Sequence, residues 1–400
     1  MQGFWSMIMT LLVQTGVSGT TLLAPAIAPA LLAAMGLPLR YVGMFASVLF
    51  ISGTISSVYA VTLVKRVGPI RTSQIALLMA AIGAAVLATL HPWALLPGAM
   101  FMGIGLGQVT PASSDILART APANRYALVF SIKQTGVPLG GVLAGLLGPP
   151  TVVYFGPQWA ALEFTAICLI AMVGVQTQRA ELDALRKPDT PWPNLLMAFV
   201  APVRLVMGQP ALRVLCLGCV VFAMVQHAVA SFLVTYLNSS LGWTLIAAGI
   251  GFSVAQVAGA VGRVAWSVVA DRIGGGMPVM FALAVLMALF SIFMWGPGPG
   301  TPTWIVLFLV VLLGATGVGW NGVFLAQVAR EVPHAQVALA TAGSLVFTYG
   351  GVIVGPALFG AVAQATGDMG LTYALLAVPL TPVILLLGSY LWRERRARPR

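Results

Sequence analysis

One cationic side chain stands inside an apolar run, and its chemistry needs an explanation before anything else in the chain. Lys133 lies eight residues after Arg125 in the stretch 103–149, so at about 1.5 Å per helical residue it is about 12 Å inside that run. This depth is close to the middle of a hydrocarbon layer about 30 Å thick, where a cation costs about 2.5–3.5 kcal/mol. Such a residue normally faces a water-filled cavity or a partner. Lys133, with Gln134 beside it, is therefore a candidate site for an anion.

Other roles stay open for Lys133 at this point. It could be structural, through a buried ion pair or by extending its ammonium to the interface. An ion pair is disfavoured because no Asp or Glu lies at central depth in any apolar run. Proton coupling is the remaining alternative.

The composition excludes a water-soluble protein. Hydrophobic residues make up 59% of the 400 residues and charged residues only 7%, whereas soluble domains carry about 25% charged residues. The apolar runs are near 20 residues long, which suits membrane helices and exceeds the roughly 9–11 residues of a barrel strand. The sequence therefore predicts an all-α membrane protein.

Twelve apolar runs are long enough to cross a membrane, and their connections are short except for one. That exception, a polar and proline-broken segment, separates two sets of six runs. We predict a first six-helix bundle at 1–178, a linker at 179–210, a second bundle at 211–392 and a basic tail at 393–400. The runs cover residues 5–34, 40–63, 72–91, 94–116, 125–148, 158–177, 211–236, 243–267, 277–296, 303–327, 337–364 and 371–392.

The basic residues predict the orientation in the membrane. Of the 20 Lys and Arg, 18 fall on one side under strict alternation, Arg40 falls on the other, and Lys133 is intramembrane. Cytoplasmic loops carry an excess of Lys and Arg, so both termini are predicted to be cytoplasmic, at the inner (plasma) membrane. The net charge of +11 thus reflects topology rather than nucleic-acid binding.

The two halves of the chain repeat. VKRVG at 64–68 recurs as ADRIG at 270–274, an offset of 206, and GGVLAG at 140–145 recurs as GGVIVG at 350–355, an offset of 210. A near-constant offset indicates a duplicated six-helix unit. Because six is even, the two copies share one orientation and form parallel repeats.

Twelve helices in a 6+6 parallel repeat, a long central linker and basic turns after runs 2 and 8 resemble the major facilitator superfamily over the whole chain. The family's cytoplasmic signature resembles G-x-x-x-D-R-x-G-R-R, and SVVADRIG at 267–274, preceded by Gly262 and Arg263, is similar to it. In the first copy Lys65 stands where the aspartate is expected. The phrases SIKQTGVPLGG and GRVAWSVVADRIGG look most like bacterial cyanate-type and monocarboxylate-type permeases.

The resemblance implies that these basic turns gate the inner face. A short turn needs a glycine, and an aspartate can cap a neighbouring helix N-terminus; the alternative is that the basic residues are only topological anchors. The gating candidates are Arg66, Gly68, Arg71, Arg263, Asp271, Arg272 and Gly274.

Small residues recur at four-residue spacing in run 5, which predicts a face for close helix packing, and Pro138 can bend that helix. The predicted packing residues are Gly136, Pro138, Gly140, Gly141, Gly145, Gly350, Gly351 and Gly355. The run-5 pattern departs in spacing from that of efflux members, and the arginine that those members carry inside helix 4 is absent from GLGQVTP. Both departures weaken a multidrug antiport interpretation.

Several polar side chains lie at membrane depth on helices that, by the resemblance, line the central cavity. For any Gln or Asn, an interhelical hydrogen bond is an equally good interpretation as a solute contact, and His227 is either a proton carrier or a hydrogen-bonded structural residue. Besides Lys133 and Gln134, the substrate-binding candidates are Gln14, Gln108, Gln226, His227, Gln256, Trp320, Asn321 and Tyr349.

The predicted function is secondary transport of a small anionic solute by alternating access, coupled to H⁺ or working by exchange. The alternative is efflux of amphipathic drugs or other organic compounds by proton antiport. An enzyme is disfavoured because no histidine stands beside an intramembrane carboxylate, and a non-transporting receptor is supported only by the altered first turn. We expect a monomer in contact with membrane lipids, without cofactor, metal or nucleic acid.

Overall fold

The computed structural model of the chain describes residues 2–120, 129, 132–184, 186–333 and 336–397. Within these residues the regular structure is helical, and twelve helices are long and apolar enough to cross a membrane. The predicted fold class and number of runs are confirmed. The turn predicted around Pro122 and Arg125, and the last residues of the predicted basic tail, lie outside the described residues.

The membrane-spanning helices are numbered here as spans 1–12 in chain order. Spans 1–6 are Gln2–Ala26 with Ala28–Met35, Arg40–Val67, Pro69–Leu87, Leu95–Thr120, Ile132–Phe155 and Pro157–Gly174. Two further helices, Arg179–Leu182 and Leu195–Gly208, follow span 6. Spans 7–12 are Pro210–Thr235, Leu245–Arg272, Gly276–Phe293, Thr303–Gly317 with Asn321–Arg330, Val337–Thr366, and Met369–Leu375 with Ala377–Ala397.

Two of the connections in the first half are glycine–proline junctions. Gly68 (φ 98°, ψ 157°) separates spans 2 and 3, and Gly156 (φ 99°, ψ 163°) separates spans 5 and 6. This backbone region is open essentially to glycine alone. The proline that follows suits the first helical turn, where its missing N–H has no helical partner. Local sequence therefore sets both boundaries.

The helices group into two units by their contacts. Unit 1 contains residues 1–195 with 244–253, and unit 2 contains residues 196–243 with 254–400. In unit 1, span 1 packs along span 5 and span 3 along span 4; in unit 2, span 7 packs along span 11. The domain boundaries drawn from the sequence remain predictions.

Candidate functional site

Lys133 is completely buried in unit 1, with 0% of its surface exposed. Its ammonium donates a hydrogen bond to Oε1 of Gln134 (3.2 Å). Span 5 continues to Phe155, seven residues beyond its predicted end, so Lys133 lies about 33 Å from that end. It is therefore farther from the C-terminal end of span 5 than the predicted end at residue 148 implied.

Gln14 of span 1 lies next to the start of span 5. A Cβ built on Gly136 would approach Cβ and Cγ of Gln14 at 2.8 Å, so the absence of a side chain at Gly136 admits this amide. Nε2 of Gln14 donates to Ser18 Oγ (2.9 Å), whereas its buried Oε1 makes no hydrogen bond with the described residues. Lys133 is one helical turn before Gly136, so a buried amide and a buried ammonium stand at neighbouring levels of the span 1–span 5 contact.

Gln108 is buried on span 4 of the same unit. Its Nε2 lies 3.5 Å from Ser56 Oγ of span 2, and its Oε1 makes no hydrogen bond within the described part of the chain. The amide therefore joins two helices and keeps one buried acceptor available.

In unit 2, two of the predicted amides form a pair. Nδ2 of Asn321 donates to Oε1 of Gln226 (2.9 Å) across spans 10 and 7. His227 follows on span 7, half-buried, within electrostatic range of Arg263. The interhelical bond expected for such amides is thus present at this pair.

Trp320 is fully buried in unit 2 and packs edge-on against two phenylalanines. Its ring lies 5.6 Å from that of Phe222 and 5.3 Å from that of Phe324. Its Nε1 hydrogen makes no hydrogen bond with any described residue. Gln256 is buried on span 8 and Tyr349 is half-buried on span 11, and their solute contacts remain predictions.

Arg263 lies deeper than the sequence analysis placed it. Run 8 was predicted to end at residue 267, but span 8 continues to Arg272, so Arg263 lies about 13 Å inside the helix. Its Nε donates to the carbonyl of Val318 (3.2 Å). A second cation therefore sits at membrane depth, and its predicted part in gating would act from inside span 8.

The predicted packing glycines do not behave alike. Gly140 packs directly against the backbone of span 1 at Thr15 and Gly19, and Gly145 packs against Gly249 and Ser253 within unit 1. In both cases an added Cβ would collide with these residues. Pro138 and Gly141 are buried on span 5. In unit 2, Gly351 and Gly355 close on span 7 at Val220 and Met224.

Gly350 departs from this pattern. A Cβ added there would meet no heavy atom of the described residues within 4 Å. It follows that Gly350 has room for a side chain and is not a close-packing position.

The turn between spans 2 and 3, here called the first turn (residues 65–71), is capped by a carboxylate from far along the chain. Asp183 accepts hydrogen bonds from the backbone N–H of Ile70 (2.8 Å) and of Arg71 (3.2 Å). Its side chain is only 6% exposed, and Nε of Arg179 lies 3.8 Å from its Oδ2. Asp183 therefore provides the acceptor that the N-terminus of span 3 requires.

Burial raises the pKa of Asp183 above its ordinary value. The two backbone hydrogen bonds and the charges of Arg179 and Arg71 oppose that rise, but the desolvation of the carboxylate is the larger effect.

Further contacts fix the segment after span 6 over the first turn. The backbone N–H of Lys187 donates to the carbonyl of Lys65 (2.6 Å), and Nε of Arg66 donates to the carbonyl of Thr190 (2.7 Å). The Arg66 guanidinium also lies 4.7 Å from the ring centre of Trp192. Residues 179–184 and 186–192, here called the strap, thus pack on the first turn; no sequence pattern had connected these segments.

The turn between spans 8 and 9, here called the second turn (residues 271–277), is capped from within its own half. Oε1 of Gln327 on span 10 accepts from the backbone N–H of Gly276 (2.8 Å). Asp271 pairs with Arg330 at 2.6 Å, with 69% and 45% of the two side chains exposed. Arg272 and Gly274 are exposed.

Comparison with known proteins agrees with this architecture. The model of the family described as Major Facilitator Superfamily matches residues 7–342. Two uncharacterised MFS-type transporters of Mycobacterium tuberculosis, from strains CDC 1551 / Oshkosh and H37Rv, are each 25% identical to the chain. Each match covers 92% of this chain and 82% of the relative.

Solved structures share the fold at low sequence identity. A bacterial homolog of the human lysosomal transporter Spinster, inward-facing and occupied, is 16% identical with a TM-score of 0.71, over 98% of this chain and 96% of its own. A mutant of the nucleoside transporter NupG is 16% identical with a TM-score of 0.78, over 96% and 98%. The peptide transporter POT in complex with sulfate is 15% identical with a TM-score of 0.75, over 97% and 94%.

These likenesses extend over nearly the whole chain and coincide with its twelve spans and its internal repeat. The chain therefore belongs to the major facilitator superfamily and is a multi-pass membrane transporter, a secondary transporter by its fold.

Proposed function

We propose that the protein moves a small anionic solute by alternating access, coupled to H⁺ or by exchange. The observation that carries this proposal is the complete burial of the Lys133 side chain within a membrane bundle. Burying a cation away from water is costly, and an anion bound beside the ammonium offsets part of that cost. The transporter acts as a monomer in the inner membrane, with both termini in the cytoplasm.

Two buried amide oxygens of unit 1 have hydrogen-bonding capacity to spare. Oε1 of Gln14 and Oε1 of Gln108 make no hydrogen bond with the described residues. Buried polar atoms normally have a partner, so these two acceptors can bind an N–H or O–H group of the solute or a water molecule, while the Lys133 ammonium binds the negative charge. The sulfate complex of POT is a precedent for an inorganic anion in this fold.

The first experiment identifies a ligand. The purified protein is heated in detergent with short monocarboxylates, cyanate and nitrate, and with ethidium as a cationic amphipathic compound. We expect an anion to raise the melting temperature, because a ligand that binds only the folded state stabilises it. Stabilisation by ethidium and by none of the anions would contradict the proposal.

The second experiment tests Lys133 in proteoliposomes with the stabilising anion. Lys133→Gln removes the charge and should lower transport about 10- to 150-fold, since a hydrogen bond to a charged group contributes about 1.5–3 kcal/mol. Lys133→Arg should retain more transport than Lys133→Gln. The matched control is Arg40→Gln, which removes an exposed cation of the same half that lies in neither turn, and this variant should transport normally. Full transport by Lys133→Gln would remove this lysine from the mechanism.

The aromatic cluster in unit 2 favours a second candidate, efflux of amphipathic organic compounds. The rings of Trp320, Phe222 and Phe324 are buried together, and apolar rings with few polar groups are the side chains that line sites for amphipathic ligands. Expression that raises resistance to ethidium would support this function. Expression that enables growth on an organic anion would support the first.

A further inference from the structure

A basic cavity lies between the first turn and the strap. Its volume is about 410 Å³, within the range of small-ligand sites. Four arginines line it, and its lining within the described residues includes no acidic side chain: Arg66, Arg71, Arg179 and Arg186. A neighbouring cavity of about 340 Å³ shares Arg179 and Arg186 and reaches Asp183. Asp183 compensates part of the charge of Arg179, and an anion in the cavity would reduce the remaining repulsion between the four guanidiniums.

Three of these guanidiniums are already oriented by the protein. Arg66 is held by the Thr190 carbonyl and the Trp192 ring, and Nη1 of Arg71 donates to Oε1 of Gln74 (3.0 Å). Arg179 lies beside Asp183. Arg186 enters the cavity from the strap with an exposed side chain. A guanidinium that is fixed in this way binds a phosphate oxygen pair with little further loss of freedom.

The cavity also has an apolar side at the edge of the membrane spans. Val67 is the last residue of span 2, Arg71 is the third residue of span 3, and Ile75 lies one turn further along. Val67 and Ile75 line the same cavity as the arginines. Phosphate-binding charge beside apolar surface, at the level where a span ends, matches a phospholipid headgroup with the start of its acyl chains.

We infer that this cavity binds the phosphodiester headgroup of an anionic phospholipid, which bridges the first turn and the strap. A lipid headgroup and a free phosphate would both be bound by several guanidiniums. The proposed ligand is the phospholipid, which comes from the surrounding membrane. The site is separate from Lys133 and does not depend on the transported solute.

The test measures lipid binding to the purified, delipidated full-length protein by native mass spectrometry. The probes are dioleoylphosphatidylglycerol and, for comparison, dioleoylphosphatidylcholine. Arg71→Gln combined with Arg186→Gln should weaken phosphatidylglycerol binding about tenfold or more. The reason is that each basic residue near an anionic membrane surface increases the affinity several-fold. The matched control, Arg204→Gln with Arg213→Gln, removes two exposed arginines outside the cavity and should change binding less than about twofold.

A single variant and two soluble phosphates complete the test. If the double variant is unstable without lipid, Arg186→Gln alone is used, because its exposed side chain is the one least needed for folding. Inorganic phosphate and glycerol 3-phosphate are tested by their effect on melting temperature. Arginine-dependent binding of these soluble phosphates without binding of phosphatidylglycerol would overturn the membrane source. Equal phosphatidylglycerol binding by wild type, cavity variant and control would overturn the site.

Discussion

The first and second turns descend from one repeated sequence, yet each is capped differently. Lys65 and Asp271 occupy the same place in the repeat, 206 residues apart. In the first turn the acceptor for the next helix is the buried carboxylate of Asp183, which comes from the strap. In the second turn it is the neutral amide of Gln327, and Asp271 lies on the surface in an exposed ion pair. The capping function is thus kept in both turns, while the residue that performs it has changed.

The two turns also differ in the number and strength of the contacts that stabilise them. The first turn combines a glycine-only backbone, a buried carboxylate and four hydrogen bonds with the strap. The second turn relies on a helix of its own half and an exposed ion pair. Surface ion pairs contribute about 0–1 kcal/mol, and hydrogen bonds to buried charged groups contribute about 1.5–3 kcal/mol. We therefore expect substitutions in the first turn to be the more damaging.

The largest effect is expected for Gly68→Ala. Gly68 has φ 98° and ψ 157°, and an added Cβ would collide with the Asp183 carboxyl group. The substitution would strain the backbone and expel the cap together, so the free energy of unfolding should fall by about 3 kcal/mol. Thermal unfolding in detergent measures this loss. A melting temperature equal to that of wild type would show that the strap is not seated on this turn.

The next effect compares the two caps directly. Asp183→Ala leaves two N–H groups of span 3 without acceptors and should cost about 2 kcal/mol. Gln327→Ala removes a single neutral acceptor at Gly276 and should cost about 1 kcal/mol. Both variants are measured by the same unfolding experiment. A larger loss for Gln327→Ala would reverse the comparison.

Gly274→Ala is expected to cost less than Gly68→Ala. Gly274 has φ 76°, but a Cβ there would meet no heavy atom of the described residues within 4 Å. Only the left-handed conformation is penalised, by about 1 kcal/mol. Circular dichroism during heating is a suitable measurement, and a loss of the size expected for Gly68 would mean that the second turn is packed against a further segment.

Asp271→Asn should change stability by less than about 0.5 kcal/mol, because its partner Arg330 is also exposed. A double-mutant cycle with Arg330→Gln measures the coupling between the two side chains. Strong coupling would give this exposed pair an importance comparable to that of Asp183. The same variants in a transport assay would show whether the pair contributes to gating.

The smallest effect is on pH dependence. The pKa of Asp183 is raised in the folded state, so the folded chain retains this proton to higher pH than the unfolded chain does. Between the ordinary aspartate pKa of about 3.9 and the raised folded pKa, the contribution of this group to stability should decrease as pH rises. Asp183→Asn should flatten the unfolding curve measured against pH in that interval. An unchanged pH profile would contradict the raised pKa.

Apolar length and charge placement sufficed to predict the twelve spans, because a membrane requires long apolar helices and short loops. The ends of spans were less predictable. Span 8 extends past its predicted end because Val268 and Val269 continue the helix and the first glycine break comes only at Gly274. Arg263 therefore lies about 13 Å from the end of the helix, instead of the roughly 6 Å implied by the predicted end at residue 267.

Contacts between distant residues could not be predicted from the sequence. Asp183 and Ile70 are 113 residues apart, and Gln226 and Asn321 are 95 apart. Asp183 lies in a polar segment without hydrophobic periodicity. The sequence therefore showed that the residue is acidic but did not indicate which residues it contacts. The sequence held one indirect sign that the first turn is capped from elsewhere. Lys65 stands at the position where the cytoplasmic signature of the family has an aspartate. The Asp115–Arg119 pair, by contrast, was predictable from its four-residue spacing and is present at 2.7 Å.

The strap also determines where the polypeptide can be divided. A gene split after codon 178 would produce an amino-terminal fragment without Asp183, so the start of span 3 would lose its acceptor. The same fragment would lack Lys187 and Thr190, the hydrogen-bond partners of the end of span 2. A split after codon 194 would leave those partners covalently attached to the fragment that needs them. Co-expressed halves divided at the later position would each be synthesised with their own caps. The helix Leu195–Gly208, which has a fully buried Val206 and packs against Gly343 of span 11, would then stay with the second half.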